Sequence, residues 1–369
     1  MKKIAIFTGT RAEYGLMKYL IKALNNNFNF ETHLIVSSTH LSSKFGETLK
    51  EIKLDGLKPS FYIPVTINSN KGGMCLQTAE TIKGLSEVLE QLNPEYLIVL
   101  GDRFETFGAA TAAHLLGIKI AHIHGGETTL GAIDDKLRHA ISQLSTLHFT
   151  SAIKHKEKVE KMGHKKEYVF NVGPMAIDGL LNMQKLNREE FQTKTNFFFN
   201  TNNFLITYHP ETISKDLGIE LFKNLLSVLN KINCNILFTS PNADFGHEII
   251  LKEIKSYINK NKSSALFIPS LGQELYLNAL RLFDCVIGNS SSGIIEAPLV
   301  GNPVINIGDR QKGRYRFGKV IDVNNQKGIE DAIQEITNKN SNKIQDNEFL
   351  RFEKLNSPTQ IILKVFKNI

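Results

Sequence analysis

Short unbroken apolar runs alternate along this chain with longer stretches in which apolar positions recur at helical spacing. The runs Lys2–Phe7, Thr32–Ser38, Phe61–Val65, Tyr96–Leu100, Ile118–Ile123, Leu147–Thr150 and Tyr168–Val172 read as strands. Between them the spacing predicts helices over Gly15–Asn25, Ser43–Leu54 (capped by Ser42 or Ser43), Met74–Leu92, Phe104–Leu116, Asp135–Thr146 and Ile153–Met162. Thr8–Tyr14 and Asn68–Gly73 read as loops. Strand and helix in strict alternation imply a parallel sheet wrapped by helices.

The pattern then repeats. Phe204–Tyr208, Asn235–Thr239, Ala265–Ile268, Cys285–Ile287, Val304–Ile307 and Val320–Val323 read as strands. Helices are expected over Gly218–Lys231, Gly246–Asn259 and Gly272–Phe283, another ends near Val300, and the tail Phe349–Phe366 has helical periodicity. The expected fold class is α/β, with two Rossmann-like domains facing a central cleft. Residues 1–174 would form the first and 175–348 the second, nucleotide-binding one. A last helix within 349–369 would pack back on the first. The Asn- and Phe-rich stretch Thr193–Asn203 is read as a segment entering the second domain, with no function of its own.

Composition narrows the class. A chain of 369 residues is too long for one comfortable core. No apolar run approaches the roughly 18–20 residues that span a bilayer, and Ile4–Phe7 is too short for a signal sequence. Three cysteines without a CxxC spacing argue for a reducing, cytoplasmic setting and against a Cys-based zinc site. The formal charge of +7 comes from scattered lysines, many beside Asn, so no nucleic-acid or membrane surface is expected. The few arginines sit beside glycine-rich turns, which suits an anionic small molecule.

The candidate chemistry concentrates in Gly101–His139. Asp102, Glu127, Asp134 and Asp135 lie there with His122, His124 and His139, at the expected carboxyl ends of two parallel strands, where open α/β sheets bind ligands. One alternative is a set of solvated loop charges. Another is zinc held by His122, His124 and Glu127, but His139 reads as a helix contact and no metal is expected. A second rim is Gly288–Gly293, a strand–turn–helix with serines at 290–292 whose hydroxyls and free amides can bind phosphate. A plain helix cap by Ser290 or Ser291 is the alternative. Glu296 follows in the helix, placed for ribose hydroxyls. Arg310, Lys312 and Arg314 add cations, His209 ends a strand as a phosphate donor, and Thr8–Arg11 offers another phosphate-facing loop.

Taken in order, Gly9–Tyr14, Gly101–Arg103, His122–Glu127, Ile133–His139, His209–Glu211, Gly288–Gly293 and Gly308–Gln311 resemble the UDP-N-acetylglucosamine 2-epimerase family over essentially the whole chain. Its hydrolysing branch, which feeds sialic-type acid synthesis in bacteria, is the nearer likeness. The resemblance implies a GT-B-like fold and a reaction without metal or cofactor. UDP is eliminated across C1–C2 to a 2-acetamidoglucal, and water then adds to release N-acetylmannosamine. It implies catalytic roles for Asp102, Glu127, Asp134, His209 and His124. It places Arg11, Arg103, Arg138, Ser290, Ser291, Gly293, Glu296 and Arg310 on the substrate. Many relatives carry Glu where this chain has His124, so Glu127 or His124 takes that acid/base role. UDP-N,N′-diacetylbacillosamine is the alternative substrate. A nonhydrolysing epimerase, a GT-B glycosyltransferase and a non-catalytic nucleotide-sugar binder are further alternatives. A UDP-sugar is the expected partner, and a homodimer or homotetramer the expected assembly.

Overall fold

The computed structural model describes residues 1–42, 48–67, 71–130, 133–211, 214–241, 245–340 and 356–369. Ser43, the start of the loop placed at 68, Gly131, Asn242 to Asp244 and the tail from Phe349 to 355 lie outside the described residues. The chain divides into two compact units. The first comprises Met1–Glu127, Asp134–Asp178 and Asn356–Ile369, and the second Thr128–Ile133 and Gly179–Leu355.

Unit 1 holds a parallel sheet of seven strands among the described residues. They are β1 (Lys2–Thr8), β2 (Phe30–Ser37), β3 (Phe61–Ile63), β4 (Tyr96–Leu100), β5 (Lys119–Ile123), β6 (Leu147–Thr150) and β7 (Val169–Asn171), in the order β3-β2-β1-β4-β5-β6-β7. The central strands are buried on both faces over Ile4–Phe7 and Tyr96–Leu100, so these stretches are apolar without alternation. Helices α1 (Arg11–Asn25), α2 (Leu49–Leu54), α3 (Lys71–Leu92), α4 (Phe104–Leu115), α5 (Asp134–Leu144) and α6 (Ile153–Lys161) cover it.

Two readings of the local pattern change. Helix α1 starts at Arg11 rather than Gly15, because Thr10 and Glu13 form a capping box. Arg11 thus stands on the first helical turn, not in a loop. Helix α3 begins at Lys71, inside the stretch read as a loop. The sheet order reverses between β1 and β4, so the ends of these neighbours form the switch point at which ligands bind in open sheets.

Unit 2 repeats the architecture with six parallel strands among the described residues. They are β8 (Asn203–Thr207), β9 (Asn235–Phe238), β10 (Ala265–Phe267), β11 (Cys285–Gly288), β12 (Val304–Ile307) and β13 (Val320–Val323), in the order β10-β9-β8-β11-β12-β13. Its helices are α7 (Ala176–Asn182), which straddles the boundary, then α8 (Arg188–Thr195), α9 (Ile219–Leu229), α10 (His247–Lys260), α11 (Gly272–Leu282), α12 (Ser291–Leu299) and α13 (Gln326–Asn340). The switch point lies between β8 and β11. Helices α7, α8 and α13 are absent from the sequence reading. Nor is the Phe-rich stretch a bare connector. Phe197 and Phe199 pack with Phe191 and Phe283, their ring centroids 4.8–5.9 Å apart. Low complexity hid an aromatic core there.

The final helix, α14 (Pro358–Asn368), buries Ile362, Leu363 and Phe366 in the core of unit 1, where Phe366 meets Tyr96 and Phe149 edge-on or tilted. Among the described residues no helix is long and apolar enough to cross a membrane.

Candidate active site

In unit 1 the polar cluster is built on the ends of β4, β5 and β6. Asp102 follows β4 after Gly101. Its partner is Arg138 of α5, whose Nη2 donates to Asp102 Oδ2. The other terminal nitrogen of Arg138, Nη1, donates to Glu127 Oε2 at 3.5 Å and to the His124 carbonyl at 3.2 Å. Arg138 is 2% exposed. Burial opposes its charge, but Asp102, Glu127, Asp134 and Asp135 outweigh that and raise its pKa. Its guanidinium therefore serves to join two carboxylates. Asp134 opens α5, where a negative charge favours the helix dipole.

His124 sits just past β5 with φ +64°, a left-handed backbone that is costly for a residue with a Cβ. The Met175 amide donates to its Nε2 at 3.1 Å. A ring nitrogen that accepts carries no proton, so the neutral ring has its hydrogen on Nδ1. That atom lies 3.7 Å from Glu127 Oε1. The same carboxylate oxygen accepts from Ser151 Oγ at 2.7 Å. Gly126, between them, has φ +78°, and a Cβ there would run into the His155 carbonyl, so only glycine lets β5 turn into Glu127.

His122 is within β5. Its Nε2 lies 2.8 Å from the Gly101 carbonyl and its Nδ1 3.1 Å from Ser142 Oγ. Burial pushes its pKa down to about 4, so it is a neutral structural link. His139 lies 2.9 Å from Lys158 Nζ on α6.

The switch point between β1 and β4 carries further acids that sequence reasoning missed. Glu13 accepts from the Gly9 and Thr10 amides at 2.8 and 3.1 Å and from Thr106 at 2.9 Å. Burial and then Glu105 push its pKa up to about 7. Glu105 in turn holds Arg103 through Nε at 3.1 Å. Arg11 is exposed nearby in the chain. The spacing Thr10…Glu13 was a visible capping-box signal; Glu105 gave none.

In unit 2, Gly288 ends β11 with φ +138°, where a Cβ would meet the Thr207 carbonyl of β8. This close approach brings Asn289 against His209. The His209 amide donates to Asn289 Oδ1 at 2.7 Å, and Asn289 Nδ2 donates to the His209 carbonyl at 2.8 Å. The Asn289 carbonyl accepts from Arg310 Nη1 at 3.1 Å and Gln311 Nε2 at 2.8 Å. Asn289, unassigned from sequence, thus ties three elements of the rim together. Burial and the Arg310 charge hold the His209 pKa well below the usual imidazole range, so His209 is neutral.

Ser290 occupies the N-cap position of α12 but makes no side-chain cap. Its Oγ lies 3.0 Å from Ser292 Oγ, which pairs with the Tyr276 hydroxyl. The plain-cap alternative is therefore not what the hydroxyl does. Ser291 is the first helical residue. Gly293 faces Val304 and Val286, so it lets α12 pack closely on the sheet. Glu296, on the second turn, is pushed up to about 7 by burial. Backbone N–H groups at a helix start, a neighbouring guanidinium and a neutral imidazole donor together suit a phosphate group.

The segment Thr128–Ile133 parts Glu127 from Asp134 and belongs to unit 2. Leu130 donates its amide to the Lys312 carbonyl at 2.9 Å, and Arg314 Nη2 donates to Thr129 Oγ1 at 2.9 Å. Of the expected site residues, Asp102, His124, Glu127 and Arg138 form one network, Asp134 acts on its Arg138 through charge, and Arg11 and Arg103 lie at the β1–β4 ends of unit 1. His209, Ser290, Ser291, Gly293, Glu296 and Arg310 gather in unit 2.

A family model described as UDP-N-acetylglucosamine 2-epimerase matches residues 22–363. The chain is similar to the GDP/UDP-N,N′-diacetylbacillosamine 2-epimerase (hydrolyzing) of Campylobacter jejuni, at 37% identity over 87% of this chain and 84% of that one. It is also similar to the UDP-N,N′-diacetylbacillosamine 2-epimerase (hydrolyzing) of Legionella pneumophila, at 35% identity over 88% of this chain and 85% of that one. Among solved structures, the UDP-GlcNAc 2-epimerase of Neisseria meningitidis bound to UDP-GlcNAc superposes with TM-score 0.78 at 18% identity, covering 100% of both chains. That likeness identifies the GT-B-like fold. A family model spanning nearly the whole chain, with relatives above a third identical, settles the lineage: this chain belongs to the UDP-N-acetylglucosamine 2-epimerase family.

Proposed function

We propose that this enzyme is a hydrolysing 2-epimerase of UDP-2-acetamido sugars. It eliminates UDP from UDP-N-acetylglucosamine across C1–C2, then hydrates the 2-acetamidoglucal to free N-acetylmannosamine. The observation that carries the reading is the pairing of two carboxylates, Asp102 and Glu127, on one buried guanidinium, Arg138.

Inversion at C2 requires a proton to leave one face of the sugar and another to arrive on the opposite face. Two acid/base groups are needed, and Asp102 and Glu127 supply them. Asp134 assists the addition of water at C1. Departure of the diphosphate leaves negative charge on its oxygens. The α12 amides, Ser290, Ser291, Arg310 and neutral His209 stabilise it, while Glu296 takes the ribose hydroxyls. Arg11 and Arg103 add positive charge at the β1–β4 ends. His124, with Nε2 taken by the Met175 amide, orients Glu127 rather than replacing it.

A second reading, UDP-N,N′-diacetylbacillosamine as substrate, is supported by the names of the two relatives at 37% and 35% identity. The sequence resemblance supports a place in nonulosonic acid synthesis and a homodimer or homotetramer. Incubating the enzyme separately with the two UDP-sugars and following UDP release tests both readings. Faster release identifies the substrate, and no release from either counts against the proposal.

A further inference from the structure

Glu127 Oε1 is the start of a hydrogen-bonded chain that no step above uses. Ser151 Oγ lies 2.7 Å from that oxygen and 2.9 Å from His155 Nδ1. Ser151 follows β6, and His155 stands on the first turn of α6, so two adjoining elements fix the three groups. Ser151 and His155 are 2% and 5% exposed. A serine so buried, hydrogen-bonded on both sides, cannot reach a substrate as a nucleophile. It can pass a proton.

A hydroxyl has one hydrogen, so the protonation states at its two ends are linked. When Glu127 is ionised, Ser151 donates to it and accepts Nδ1–H from His155. When Glu127 is protonated, its O–H donates to Ser151, which donates to His155 Nδ1. Passing between these states breaks Nδ1–H and Oγ–H bonds and forms Oγ–H and Oε1–H bonds. One proton moves from a His155 imidazolium to the Glu127 carboxylate, or the reverse, with nothing left over.

We infer that Ser151 and His155 are the proton relay that resets Glu127 between turnovers, with solvent water as the final source or sink of the proton at His155. This rests on the reading of Glu127 as an acid/base at C2. In that reaction the group that takes the C2 proton ends each cycle protonated, and the group that delivers one ends it ionised. Neither can act again until its proton is exchanged. Around Glu127, Arg138 of α5 holds Oε2, and His124 approaches Oε1 with an Nδ1–H that its Nε2 contact prevents from relaying. Arg138 joins Glu127 to Asp102 but does not give up its proton, whereas Ser151 leads onward to His155 through a hydroxyl that can exchange one. Ser151 touches Glu127 and His155 touches Ser151, so both act through Glu127 and are positioning residues.

The test separates resetting from mere support. His155→Gln keeps a hydrogen-bonding side chain but cannot carry a proton. A relay leaves the first turnover, read as a burst of UDP in rapid mixing, near the wild-type rate and slows later turnovers roughly tenfold or more, with UDP affinity unchanged. Ser151→Ala should behave alike in later turnovers, and Ser151→Thr, which keeps the hydroxyl, should recover most of the rate. An equal slowing of first and later turnovers, or no slowing, overturns the inference. On the wild-type enzyme, steady-state rates in H2O–D2O mixtures should fall on a bowed curve, since more than one proton moves. A straight line overturns it without any variant needing to fold. Absence of UDP release by the wild type would instead mark failure of the underlying functional reading.

Discussion

Arg138 lies between Asp102 and Glu127 and donates to both, with its two terminal nitrogens divided between them. A cation so buried costs free energy unless it is paired, and removing one partner of such a set typically costs about 3–5 kcal/mol. Arg138→Leu would leave two carboxylates facing each other without it. It should lower the free energy of unfolding, read from urea titration, by an amount in that range and abolish UDP release. Arg138→Lys, which keeps the charge but loses the fork, should fold and still lose activity, about 100-fold. Full activity in the lysine variant would mean that the fork does not set the carboxylates.

The two candidate acid/base residues are separable. Glu127→Gln should lower the rate of UDP release by about 10²–10⁴ with little change in UDP affinity. His124→Gln, whose side-chain oxygen can still accept from the Met175 amide, should lose about tenfold. Steady-state kinetics on the two variants decide the matter. A larger loss at His124 than at Glu127 would reverse the assigned roles.

The rim of unit 2 should act on binding rather than on proton transfer. Arg310→Ala removes the cation next to Asn289 and one of the two donors to the Asn289 carbonyl, Gln311 being the other. A charged hydrogen bond is worth about 1.5–3 kcal/mol, so calorimetry should show the Kd for UDP rising about 10–100-fold. An unchanged Kd would place the diphosphate elsewhere.

Acid should destabilise the fold through its buried imidazoles. Burial lowers the pKa of His40, His122 and His148 to about 4, about 4 and about 3, against an ordinary value near 6.5. Each is neutral in the folded chain, and the unfolded chain takes up protons first as pH falls. Their contribution is complete above pH 6.5 and is lost as pH falls from there toward 4. Glu13, raised to about 7, works in the opposite sense. Its folded form favours the proton, and stability is lost as pH rises from 4.5 through 7. Glu296, also raised to about 7, acts as Glu13 does. The three rings together with His209, itself held well below the usual imidazole range, outweigh the two glutamates, so the melting temperature should fall between pH 6.5 and 4.5. A level melting profile over that range would show that these rings take up protons in the folded state.

The strands were legible because those buried on both faces are unbroken apolar runs; β4 and β6 keep the bounds that their sequence implied. Helices whose signal is packing rather than period, α7 and α8, were not. Neither was the Phe191–Phe199 core, since a run of like residues carries no phase. The chemistry split in the same way. Asp102 and Glu127 announced themselves beside glycines at strand ends. Ser151 and His155 did not, because only the pairing of β5 with β6 brings them to Glu127. The left-handed backbone at His124, which presents its ring to Met175, is likewise a property of the turn after β5 and not of the residue type.

The central claim is that the enzyme removes and replaces the proton at C2 and releases the sugar. Proton NMR of the reaction run in D2O, with the UDP-sugar that supports UDP release, tests it most directly. The expected products are free UDP and a free 2-acetamido sugar inverted at C2 and carrying deuterium there. Retention of the original proton at C2, or a sugar still joined to UDP, would contradict it.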